Sequence, residues 1–270
     1  MTFALTGRLL ATFTFFIFVA SASAKDASLQ SAWDLAEVNL FNDSNKVFQE
    51  LKGQPGVDER ERAFGEAVTY LNVQPRTPQN ITHSQKLFQT LTSAEDVYAQ
   101  LSEFYLARID EDYLTLPDPE RAKAAYLELL KRRTGNPLIE SGAVRLALLA
   151  ELSATDPESR RQALLATRSL AQNLLTREGR RDFHLNLGSA LIKAGDLKAG
   201  LEELLAADAE GITRRLSERG AWVTIAEAAR VTGDKELAAK YYRKFLEKYG
   251  RDTRSYMVEL RLREVETPEQ

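Results

Sequence analysis

His83 and His184 are the only side chains of this 270-residue chain whose ordinary pKa suits proton transfer near neutrality. Neither sits in an HExxH or in a spaced set of metal ligands, and no cysteine is present to act as a thiolate nucleophile or ligand. Glycine-rich phosphate loops, a GxSxG elbow and a dinucleotide fingerprint are also missing from the sequence. Carboxylates are plentiful, as in IDEDYL (residues 109–114) and LEELL (201–205), but they read as helix surface. No catalytic, cofactor-binding or metal-binding residue is predicted. An enzyme would have to bring two distant carboxylates together through folding, as a glycosidase can. His184 reads as an interhelical packing residue and His83 as a capping or solvent-exposed one.

The elements that position these groups are helices. Apolar residues recur at helical spacing throughout, with Trp33, Ala36 and Leu40 forming one stripe and Phe64, Ala67, Val68 and Leu71 another. Each stripe is too narrow to bury itself and needs a neighbouring helix. Asp118-Pro119 and Asp156-Pro157 are start signals, and Thr92 with Glu95 predicts a capping box ahead of VYAQLSEFYLARI. The spacing predicts helix pairs at 29–41 and 44–52, 59–71 and 82–91, 94–112 and 119–132, 138–152 and 157–175, 179–194 and 197–207, and 217–231 and 235–249. A last helix is expected from 253 to about 265, with Tyr256, Met257, Leu260 and Leu262 on one side, and QPRTPQNITH (74–83) is expected to be a loop. Short connections make successive helices antiparallel neighbours.

Aligning Gly195-Asp196 with Gly233-Asp234 places Leu187-Gly188 on Ile225-Ala226 and Leu204 on Tyr242, a repeat interval of 38 residues. This order of residues resembles the tetratricopeptide repeat (TPR) family: Trp222, Ile225, Ala226, Ala238 and Tyr242 follow its pattern in one pair, and Leu187, Gly188, Leu191, Leu204 and Ala207 in the pair before. The resemblance is clearest over 179–250. The interval exceeds the family's usual 34, Gly200 stands where alanine is usual, and no proline closes either pair. The resemblance implies an all-α, right-handed helical-hairpin solenoid of about six antiparallel pairs with a C-terminal capping helix. It also implies a concave surface, lined by the first helix of each pair, that holds a protein or peptide partner.

Residues lying off the packing stripe of those first helices are the expected partner-binding set: Thr69, Asn72, Asp182, Ser189, Lys193, Glu227 and Arg230. Glu227 and Arg230 also have the spacing of an i,i+3 ion pair. The alternative function is a helical module for a glycan or small ligand, which would need exposed Tyr or Trp faces for stacking. The basic clusters in RRLS (214–217), RLSERG (215–220) and LLKRRTG (129–135) are flanked by acidic residues and read as solvated surface. A net charge of -3 supplies no field for nucleic acid or anionic lipid, so neither is an expected partner.

Residues 1–24 read as an export signal. Arg8 precedes an apolar run, and Ala22-Ser23-Ala24 is a small-x-small cleavage site that leaves Lys25 first and 25–270 as one helical domain. The run from Leu9 to Ala22 is shorter than a spanning helix needs, so no stable membrane anchor is expected after cleavage. The expected location is the periplasm, with secretion beyond the cell as the alternative. NDS at Asn42 and NIT at Asn80 match the glycosylation acceptor pattern.

Overall fold

Caps set the helix boundaries. In the computed structural model, which describes residues 27–267, every regular element is helical. The expected export segment and the cleavage site before Lys25 lie outside the described residues. Helix α1 (Leu29–Glu37) pairs with α2 (Phe41–Glu50), α3 (Glu59–Asn72) with α4 (Pro78–Leu91), and α5 (Val97–Arg108) with α6 (Pro119–Lys131). A short α7 (Pro137–Glu140) leads into α8 (Gly142–Ser153), which pairs with α9 (Pro157–Thr167); α10 (Arg177–Lys193) pairs with α11 (Leu197–Glu210), and α12 (Arg215–Val231) with α13 (Lys235–Tyr249). Helix α14 (Ser255–Glu266) packs on α13. The chain divides into two compact units, one ending at Leu129 and the other beginning at Leu130.

Each unit stacks its hairpins in chain order. In the first, rings interlock across helices: Trp33 meets Phe48 edge-on at 5.2 Å between centroids, and Phe88 stacks on Tyr105 at 5.1 Å. In the second, Leu204, Trp222, Ile225, Tyr242, Phe245 and Val258 form one continuous core from α11 to α14. Asp118 and Asp156 start helices as expected, each accepting the backbone N–H three residues on, at 3.0 and 2.9 Å.

Several boundaries differ from the expectation. Thr92 closes α4 with its hydroxyl on the Gln89 carbonyl, and the cap of α5 is Asp96, which accepts from the Ala99 N–H at 2.8 Å. QPRTPQNITH is mostly helix, because Thr77 caps α4 and Pro78 occupies its first turn, where no N–H is needed. Phe41 opens α2 instead of ending α1, since Asn39 at φ 62° reverses the chain first. Helix α5 widens into a π turn over Ile109–Tyr113, where Asp110 pairs with Arg121 and Glu111 accepts the Tyr126 hydroxyl at 2.7 Å. The expected helix 138–152 breaks at Ser141, and 157–175 ends as a 3₁₀ segment over Arg168–Asn173. In α14 the packing stripe is Ser255, Val258, Leu262 and Val265, while Tyr256 and Met257 face outward.

Candidate functional site

The repeated Gly-Asp turns determine how the first helices of the last two hairpins are presented. At the end of α10, Gly195 N–H donates to the Ile192 carbonyl and Asp196 N–H to the Leu191 carbonyl; at the end of α12, Gly233 donates to Arg230 and Asp234 to Ala229. This double bond closes a helix through a left-handed residue, and both glycines have φ 88°. The aspartate then caps the next helix by accepting from Ala199 N–H at 3.1 Å or Leu237 N–H at 3.0 Å. The α1–α2 turn uses the same two bonds, with Asn39 in the glycine's place.

Below the turn of α10–α11 the backbones touch. A Cβ added at Gly188 would lie 2.9 Å from the Gly200 carbonyl oxygen, and one at Gly200 would lie 2.9 Å from that of Gly188. Gly200, the departure from the repeat pattern, is therefore the partner of Gly188 in a close helix crossing. The α12–α13 hairpin puts buried Ala226 and Ala238 at the corresponding places.

The expected binding residues divide into three groups. Thr69 is buried; its hydroxyl donates to the Glu66 carbonyl and accepts from the Asn45 amide at 2.9 Å, so it belongs to the packing between α2 and α3 and is closed to a partner. Asn72 and Ser189 are partly exposed but turn back onto their own helices, donating to the Val68 and Leu185 carbonyls at 2.8 and 2.7 Å. On α10, Lys193 is exposed and Asp182, paired with Arg181, keeps 37% of its side-chain surface. On α12, Glu227 accepts from Arg230 at 2.8 Å and from the hydroxyl of buried Tyr242 at 2.6 Å, so the pair braces α12 against α13 as well as facing outward.

Carboxylates that hold helices together carried no sequence signal. Asp208 of α11 accepts from Trp222 Nε1 at 2.7 Å, Tyr241 hydroxyl at 2.8 Å and Lys244 Nζ at 2.8 Å, joining three helices. Burial alone would raise its pKa, and these three donors more than offset that and hold it below the usual carboxylate range. In the first unit Glu61 accepts from Trp33 Nε1 at 3.0 Å and the Tyr98 hydroxyl at 3.2 Å, so both tryptophans are tied in the same way. His184 Nδ1 lies 2.6 Å from Glu203 Oε2, and Arg168 reaches the other oxygen at 2.6 Å. Burial pushes Glu203 up and these two partners bring it below its ordinary value. His184 is thus interhelical, whereas His83 is half exposed within α4, with its ring 4.2 Å from that of Tyr70.

Among the described residues no group of three or more His, Asp or Glu side chains is placed to hold a metal ion, and no helix is long and apolar enough to cross a membrane. Tyr256 is the one aromatic among them with a widely exposed ring, at 70%.

The hairpins are TPR-like. No family model and no curated protein matches the sequence. Among solved structures, the chain is similar to one in the APC/C hetero-tetramer Cut9-Hcn1, with 13% identity over 88% of this chain and a TM-score of 0.46; it spans 42% of that chain's length. It is also similar to the C-terminal part of a TPR repeat-containing protein from Cytophaga hutchinsonii, with 15% identity over 86% of this chain and 99% of that one and a TM-score of 0.33.

Proposed function

We propose that this protein is an exported, non-catalytic scaffold that holds a protein or peptide partner on the first helices of its hairpins. Two matching turns carry this reading: Gly195-Asp196 and Gly233-Asp234 close α10 and α12 with the same bonds. Successive first helices are thereby stopped alike, and both carry polar side chains off their packing stripes. A partner lying across them gains by summing modest contacts with rigid elements whose ordering is complete before it arrives. Asp182, Lys193, Glu227 and Arg230 are the groups we assign to that face. Asn72 and Ser189 contribute through whatever capacity their own backbone bonds leave.

Residues 1–24 serve export in this reading, and the periplasm is the place of action. Among the described residues the glycan alternative finds one widely exposed ring, Tyr256 on α14. Stacking on successive sugars needs several such faces.

The test is crosslinking in intact host cells followed by recovery of the tagged protein and mass spectrometry, with an Asp182→Arg, Lys193→Glu variant in parallel. These two are chosen over Glu227 because reversing Glu227 would also strip the Tyr242 hydroxyl of its acceptor. Partners captured by the natural chain and lost by the variant are the expected result. Identical capture by both would remove this face from the function.

A further inference from the structure

Arginines of the second unit generally end on carboxylates, as Arg161, Arg168, Arg180 and Arg230 do. Arg215 and Arg251 do not: both are exposed, and among the described residues neither has a carboxylate partner. Arg215 lies over the Tyr249 ring, 5.5 Å from its centroid. The two share a depression at the open end of the α12–α13 hairpin, opposite the Gly233 turn. It consists of adjoining hollows of about 420 and 430 Å³ with Arg219, Arg251 and Asp252 common to both.

Charge is concentrated there against the trend of the molecule. Residues 214–219 and 248–254 hold six basic and two acidic side chains, in a chain whose net charge is -3. Helix α12 starts on Arg214 with no side-chain cap, whereas α10, α11 and α13 start on Thr176, Asp196 and Asp234, which do cap. Glu218 in the first turn of α12 is engaged by Lys248 and the Tyr249 hydroxyl, so the arginines at this positive helix end are left for another anion.

One carboxylate already shows how these groups receive an anion. Asp252 accepts from Arg219 Nη1 at 3.0 Å, from Arg254 Nε at 2.9 Å and from the Arg254 backbone N–H at 3.0 Å. The Arg254 bonds bring its pKa down to about 2, so it is charged under all ordinary conditions. The remaining guanidinium groups stand beside it without a counterpart.

We propose that this depression is the docking site for an acidic peptide segment of a partner protein, whose Asp or Glu side chains are received by Arg215 and Arg251. Leu216, 70% exposed, and Leu246 line the same hollows and offer apolar contact to a neighbouring peptide side chain. The site is too short for the continuous phosphate track of a nucleic acid. It lies at the start of α12 and the end of α13, away from Lys193 and from the Glu227–Arg230 pair, so either surface can fail without the other.

A fluorescein-labelled hexaglutamate peptide, with hexaglutamine as the neutral control, tests this by anisotropy titration on the full chain. Hexaglutamate is expected to bind, with Arg215→Glu plus Arg251→Glu weakening it about tenfold or more. Arg263→Glu, which removes an exposed arginine elsewhere, is expected to change binding less than about twofold, as is Asp182→Arg with Lys193→Glu. Circular dichroism melts confirm that each variant is folded; should the double glutamate variant unfold, Arg215→Gln with Arg251→Gln replaces it with the same expectation. Equal binding of hexaglutamine, equal loss with Arg263→Glu, or no hexaglutamate binding at millimolar concentration would overturn the proposal. So would displacement of the peptide by submillimolar inorganic phosphate, which would mark the hollow as a site for a small inorganic anion.

Discussion

Asp208 is the residue on which the most depends in the second unit, because its two oxygens satisfy the indole N–H of Trp222, the hydroxyl of Tyr241 and the ammonium of Lys244 at once. Asp208→Asn would put an amide among these donors and leave at least one unsatisfied, at a cost of about 1–3 kcal/mol in chemical unfolding. The acid limb follows from the same site. Asp208 and Glu203 both have folded pKa values below their unfolded ones, so the stability they contribute is fully present above the unfolded carboxylate range and is lost as pH falls through the folded values. Thermal melts between pH 7 and pH 3 are expected to fall steeply below about pH 4 for the natural chain and less steeply for Asp208→Asn. A parallel dependence in the two proteins would show that Asp208 is not responsible. In sequence the site was invisible: Asp208 stands 14 residues before its tryptophan, whereas Glu61 stands 28 after Trp33, so no common spacing announces the arrangement.

At the scale of elements, two helices crossing on glycine explain the chief departure from the repeat pattern. Gly188 and Gly200 bring α10 and α11 into backbone contact, and Leu204 fills the remaining side. Gly188→Ala would force a methyl to within 2.9 Å of a carbonyl oxygen and a backbone nitrogen, which cannot retreat as a side chain can. We expect a loss of about 1–3 kcal/mol despite alanine's better helix propensity, readable in urea unfolding. The alignable Ala226 marks a looser crossing, so Ala226→Gly should cost about 1 kcal/mol through helix propensity and lost burial, an opposite response at an equivalent place. The large-small pairs were legible in the sequence because they recur. The π turn at Ile109–Tyr113 and the break at Ser141 were not, because each is held by contacts from distant residues: Arg121 and Tyr126 on the former, and on the latter Leu175 and Thr176, whose N–H groups meet the buried Glu140 carboxylate.

At the scale of the molecule, a chain of net charge -3 combines carboxylate-braced helix packing with a basic cluster where α12 starts and α13 ends. Arginines paired with carboxylates inside the second unit are removed from competition for an acidic partner. Export, as we propose it, is a second property of the whole molecule. If residues 1–24 are removed as proposed, the intact mass of the protein recovered from its host corresponds to a chain beginning at Lys25; a mass retaining Met1 would contradict it. With no cysteine, such a mature chain would form no disulfide in an oxidising compartment.

The sequence by itself determined the helical class, the hairpin pairing and the Gly-Asp turns. These follow from short-range physics: apolar period, capping side chains and the steric freedom of glycine act within a few residues and leave a local signature. Tertiary structure alone decided which polar residues remain accessible. Thr69 and Lys193 look equivalent on a helical wheel, yet the first is enclosed against α2 and the second is open, because accessibility depends on what a neighbouring helix brings. It also decided the standing of RRLSERG. Its arginines are flanked by a glutamate in sequence, but the fold gives Glu218 to Lys248 and Tyr249, Asp252 to Arg219 and Arg254, and leaves Arg215 and Arg251 together without a carboxylate. Charge balance along the chain and charge balance in space are separate quantities, and only folding relates them.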